Sequence, residues 1–110
     1  MPFKEKREYS RMQVVWPASI DTSRGPIEGE VISISLGGAF IQLEEMPDVA
    51  EALDLSMEIP EHHYAVFVSA EPVRFDVYES DDAPFSYGLG VRLRDLSRED
   101  FEFLSTNVLR

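Results

Sequence analysis

Apolar and polar residues alternate strictly through LDLSMEI, putting Leu53, Leu55, Met57 and Ile59 on one side of the chain. A period of two over seven residues is the pattern of a strand with one buried face. Less regular versions of it run along most of the sequence. QVVWPASI (13–20) is rich in β-branched and aromatic residues, and Pro17 predicts an edge or a bulge there. EVISIS (30–35) changes phase between Val31 and the set Ile32, Ile34 and Leu36, which predicts a local irregularity. Gly37 and Gly38 interrupt that run as a tight turn or close backbone approach, and AFIQLE (39–44) resumes it. YAVFVSAEPVRFDVYE (64–79) predicts a long strand bent or bulged at Pro72, and FSYGLGVRLRDL (85–96) a further one in which Gly88 and Gly90 permit a bend. DTSRGPIEG, MPDVAEA, EHH and SDDAP are the connections, MPDVAEA as a loop or a short helical turn.

The period changes after Leu96. Ser97 with Asp100 three residues on is a capping pair, and Phe101, Leu104 and Val108 then share one helical face, so a helix is expected over about 97–109. Short strands followed by one terminal helix predict an all-β domain, a small closed barrel or a sandwich, with a helix appended. At 110 residues the chain has room for one such core, and 44% hydrophobic residues fit a folded domain.

Charge narrows the function. A formal net charge of −11 is unsuited to binding DNA or RNA, which calls for a basic surface. The first eleven residues are the exception: Lys4, Lys6, Arg7 and Arg11 stand against Glu5 and Glu8, a net of +2. Over the remainder, six basic residues face nineteen acidic ones. Charges beyond roughly 8 Å are largely screened at physiological salt, so local arginines can hold a small anion despite the acidic whole. With no cysteine there is neither a disulfide nor a thiolate nucleophile or metal site. Adjacent His62 and His63 are placed for a turn rather than for shared chelation, Glu44, Glu45 and Glu51 form no dense oxygen-ligand loop, and Asp81 and Asp82 belong to a polar loop. No motif activates a serine, so an enzyme is the least expected class. A charged N-terminus without an apolar stretch and the lack of a spanning run predict a cytoplasmic protein that does not insert into membranes.

Two short motifs carry the remaining signal. REYSR (7–11) is an Arg-x-x-x-Arg pair just ahead of the first strand, and SISLGG (33–38) places Ser33, Ser35 and Gly38 around a strand end. In this order, with YGLGVRLRDLSREDFEFL as the ending, they resemble the PilZ family, bacterial receptors for the second messenger cyclic di-GMP. That family pairs Arg-x-x-x-Arg with Asp/Asn-x-Ser-x-x-Gly. Arg7, Arg11, Ser35 and Gly38 match, and Ser33 departs from Asp/Asn. The chemistry suits the ligand, because a guanidinium fork fits phosphate oxygens and the O6/N7 edge of guanine and its plane stacks on bases. A serine at position 33 reaches less far toward guanine N–H groups than Asp or Asn, which predicts weakened binding.

The resemblance implies a six-stranded antiparallel β-barrel over 13–110 with a C-terminal helix, preceded by a mobile arginine-bearing switch segment over 1–12. It implies a cyclic di-GMP site of Arg7, Arg11, Ser33, Ser35 and Gly38, with no metal and no cofactor beyond that ligand. Binding would order the N-terminal segment and signal to a downstream protein partner in motility, biofilm or virulence control. The alternative is a PilZ-like interaction module that has lost the nucleotide. Arg7 and Arg11 read alone are two charges on a solvated helix face, Ser35, Gly37 and Gly38 read alone are turn geometry, and one of Arg74, Arg92 and Arg94 is a further candidate to flank the ligand.

Overall fold

The computed structural model describes residues 11–48, 52–77 and 87–109. Within them lie β1 (Met12–Thr22), β2 (Gly25–Ile34), β3 (Gly38–Leu43), β4 (Leu53–Ile59), β5 (Tyr64–Val77), β6 (Tyr87–Arg94) and α1 (Arg98–Asn107). The six strands, antiparallel throughout, close into a barrel in the order β1-β2-β3-β6-β5-β4. The strict alternation of LDLSMEI is realised in full: all four apolar residues are buried and none of the three polar ones is. Ile20, Val31, Ile34, Ile41, Leu89 and Val66 meet them from the other strands, filling the barrel with side chains.

The irregularities fall where the sequence interrupts its own period. Between Val31 and Ser33, β2 carries one residue more than β3, so Ile32 is bulged out and both Val31 and Ile34 reach the core. β1 breaks register with β2 between Gln13 and Trp16, just before Pro17. Pro17 pairs with Glu30, and the β1–β4 ladder starts only at Ala18, so the missing N–H falls just outside that ladder. In β5 the register shifts between Pro72 and Arg74, leaving Val73 as the extra residue. β1 already includes Met12, which had been expected in the preceding segment. The first ten residues, with Arg7, and the SDDAP connection lie outside the described residues.

Odd-numbered strands begin, and even-numbered strands end, at the same end of the barrel. The SLGG turn, Arg11 and α1 therefore gather there. Ser97 Oγ accepts from the Asp100 N–H at 3.0 Å, forming the expected N-cap. The apolar face differs from expectation. Leu104 is buried and Val108 half-buried, but Phe101 is 40% exposed and Phe103 takes its place against the barrel. The reason is β5: the Phe103 ring stacks on Tyr64 at 3.8 Å, almost parallel, with His62 edge-on at 5.3 Å. His62 thus has a packing role, ending a 3-10 turn over Pro60–His62 that His63 closes with φ 52°.

Tyr64 also donates its phenolic O–H to Asp100 Oδ1 at 2.6 Å, joining the barrel to the first turn of α1. That hydrogen bond, followed by desolvation and the nearby carboxylates, raises the phenol from 10.0 to about 12. A folded-state value above the unfolded one favours the neutral phenol, so its stabilisation is complete below pH 10 and lost as pH rises towards 12. The expected result is a tyrosinate absorbance step near pH 12 that is missing in Tyr64→Phe, together with a shallower loss of stability over that interval in the variant.

Candidate nucleotide-binding site

On the outer face of β3, β6 and β5 the ladder registers align two rows of residues. One row is Gly38–Arg92–Glu71 and the next is Phe40–Gly90–Arg74. The β6 sequence explains the shape. Leu89 and Val91 face the core, whereas Gly88, Gly90, Arg92 and Arg94 alternate with them on the outside. Bare glycine beside charged arginine leaves a hollow between Phe40 and Arg74. A Cβ on Gly90 would stand 3.2 Å from Arg74 Cβ and 3.6 Å from the Phe40 ring, so the absence of a side chain there forms the floor. The bulge brings both Val73 and Arg74 to this groove, although neighbours in a regular strand face opposite ways. Arg11 and the turn Ser35–Gly38 complete its rim around an open space of ≈ 770 Å³, within the size range of small-molecule sites.

The turn is held tightly. Ser35 N–H donates to Gly38 O at 2.8 Å, and Ser35 Oγ accepts from the Gly37 and Gly38 N–H groups, both at 3.2 Å. Leu93 N–H donates to Gly37 O at 3.0 Å, fastening the turn to β6. The Ser35 hydroxyl is therefore engaged by its own loop, much as the turn-geometry reading holds. Gly38 likewise has a structural reason: a Cβ there would lie 2.7 Å from Val91 O, in the backbone of the adjacent strand.

Charge on the groove is arginine, and Arg74 and Arg92 each have a carboxylate alongside. Arg74 Nε lies 3.2 Å from Asp76 Oδ2, and Arg92 Nη1 lies 3.1 Å from Glu71 Oε1, which is also 3.6 Å from Arg94 Nη1. These guanidinium groups are half or more exposed, so they can turn towards a ligand with little desolvation cost. Among the described residues no cluster of His, Asp and Glu is suited to a metal ion. No helix there is long and apolar enough to cross a membrane.

A family model, the PilZ domain, matches residues 5–109. The chain belongs to the PilZ domain family. PilZ domains are ligand-binding and adaptor domains, not enzymes. The fold agrees with solved structures. The Bacillus subtilis inhibitor of motility (MotI/DgrA) superposes with a TM-score of 0.76 at 21% identity, over 92% of this chain and 48% of that one. The PilZ domain of YcgR from Escherichia coli, solved with c-di-GMP, gives 0.72 at 15% identity, over 92% and 87%. A crystal structure of YcgR from Escherichia coli in complex with c-di-GMP gives 0.71 at 13% identity, over 92% and 43%. The present chain thus spans about half the length of MotI. No curated protein matches it in sequence.

Of the five motif residues, this PilZ barrel brings Arg11, Ser35 and Gly38 to the groove. Arg7 is outside the described residues, and Ser33 is buried at 8% exposure without lining the groove itself. Ser33 pairs across the ladders with Gln13 and with Phe40, and the Phe40 ring is a wall of the groove. The residues the motifs missed are Arg74, Arg92, Phe40 and Gly90. For Arg92 and Gly90 the signal was the G-x-G-x-R-x-R alternation of β6, which sets two bare positions and two cations on one face, whereas Arg74 on β5 and Phe40 on β3 join them through strand pairing.

Gly38→Ala forces either the Val91 carbonyl or the start of β3 to move. Its expected cost is about 1–3 kcal/mol, read as a lower urea midpoint with an unchanged m-value.

Proposed function

We propose that this PilZ domain is a cyclic di-GMP receptor that signals to a protein partner in the cytoplasm. The reading rests on one juxtaposition: Arg11, from the Arg-x-x-x-Arg motif, shares a groove with the SLGG turn and with Arg74 and Arg92. Three guanidinium groups suit a ligand with two phosphate charges and two guanine bases, and Phe40 and Val73 supply apolar wall. Arg7, the other arginine of the motif, adds a fourth fork from the N-terminal segment. Closure of that segment over the ligand presents a new surface to the partner, with the ordering cost subtracted from the contact energy. The c-di-GMP complexes of the YcgR PilZ domain support the choice of ligand. MotI, an inhibitor of motility, supports motility as the output.

A second reading, an interaction module without nucleotide, is favoured by Ser33 and by one face of the barrel. Phe67 in mid-β5 is 73% exposed, and the register sets it beside Ser56, with Asp54 and Glu58 on the same face of β4. An aromatic ring rimmed by carboxylates suits a basic protein partner.

Calorimetric titration with cyclic di-GMP decides between them. The receptor reading expects saturable heat and a rise in Tm, and silence in both at high micromolar ligand would sink it. Given binding, Arg7→Ala and Arg11→Ala are each expected to weaken it roughly 10- to 150-fold through lost charge-assisted hydrogen bonds. Ser33→Asn is expected to tighten it about tenfold by adding a guanine contact. Looser binding in that variant would show that position 33 does not face the base.

A further inference from the structure

Glu71 is the one carboxylate among the described residues that touches two arginines at once. Its Oε1 lies 3.1 Å from Arg92 Nη1 and 3.6 Å from Arg94 Nη1. The register fixes this geometry: Glu71 stands directly opposite Arg92 on β6, and Arg94 is the diagonal neighbour, opposite Ser69. The two arginines differ in place. Arg92 lines the groove and Arg94 does not. The Glu71 side chain is 33% exposed, less than either arginine, so the carboxylate is the fixed member and the guanidinium groups are the ones free to swing.

Glu71 holds Arg92 through Nη1, so a phosphate that takes this end of the guanidinium must displace the carboxylate. We infer that Glu71 is a resident counter-ion of the groove, which competes with the ligand's phosphate for Arg92 and is handed to Arg94 when Arg92 turns to the ligand. Without Arg94, releasing Arg92 would strand a half-buried carboxylate with no cation, and that cost would fall on ligand binding. With Arg94 in place, Glu71 keeps a partner in both states. Arg94 thereby acts as a positioning residue for a site it does not touch, and the pair sets the ligand concentration at which the groove fills. The inference rests on the receptor reading for its ligand, but the ion exchange itself concerns only phosphate and the three side chains.

The test is a double-mutant cycle on the full chain with two probes, cyclic di-GMP by calorimetry and inorganic pyrophosphate by NMR of the arginine side-chain N–H signals. Glu71→Gln is expected to bind each probe about three- to fivefold more tightly, with a steeper salt dependence. Arg94→Gln is expected to weaken binding by a similar factor in the wild-type background and to have no further effect in Glu71→Gln, a coupling that loss of a distant positive charge alone would not give. Unchanged or weaker pyrophosphate binding in Glu71→Gln, or an Arg94→Gln effect of equal size in both backgrounds, overturns the exchange. Should pyrophosphate follow the cycle while cyclic di-GMP fails to bind any variant, the exchange stands and the receptor reading falls.

Discussion

Ring closure is the constraint on which the rest of this molecule depends. Each strand interior must find hydrogen-bonding neighbours on both sides, and in a closed sheet the first strand has to meet the last in spatial order. Here that joint is the short β1–β4 ladder from Ala18 to Asp21. Six strands meet that demand only by coiling strongly, and the register breaks in the three longest, β1, β2 and β5, are where the extra twist is taken up. Two of those breaks also shape the groove. The β5 bulge turns Val73 and Arg74 to the same hollow, and the β2 bulge ends at Ser33, beside Phe40. The site is thus a consequence of how the barrel closes rather than an addition to it.

Electrostatics follow from the same geometry. A chain carrying −11 would repel a dianion at long range, yet ionic screening confines that repulsion to roughly 8 Å. Under the proposed reading an arriving phosphate would meet Arg11, Arg74 and Arg92, and the nearest carboxylates are those paired with Arg74 and Arg92, Asp76 and Glu71. On that reading affinity would be set by local exchange between carboxylate and phosphate at exposed guanidinium groups. Net charge decides little at this distance.

Much of the barrel was legible in the sequence because burial alternates with a period of two. LDLSMEI, the phase change at Ile32 and the break at Pro72 each corresponded to a feature of the fold. The helix start was legible from its cap, but its buried face was not: Phe101 and Phe103 are both aromatic, and only the position of Tyr64, some forty residues earlier, selects Phe103. The motifs led to Arg11 and to the SLGG turn. Arg74, Arg92 and Arg94 stood beside the motifs as candidates of undecided direction, and strand pairing, which a linear reading does not contain, brings the first two to the groove and leaves Arg94 outside it.

The two motifs also separate into residues that the fold accounts for and residues left to the proposed ligand. Ser35 organises its own turn and Gly38 makes room for the Val91 carbonyl, so a barrel of this shape needs both whether or not it binds a nucleotide. Their presence therefore says little about function. Arg11 is different: it is exposed and contributes to no part of the core, so its bearing on function rests on the proposed ligand. Position 33 is different in the opposite sense. At 8% exposure between Gln13 and Phe40, it accommodates a serine within the ladder, and its part in recognition belongs to the proposal. The weight of the functional argument thus rests on the arginines and on residue 33, while the serine and glycine that make the motif recognisable belong to the architecture.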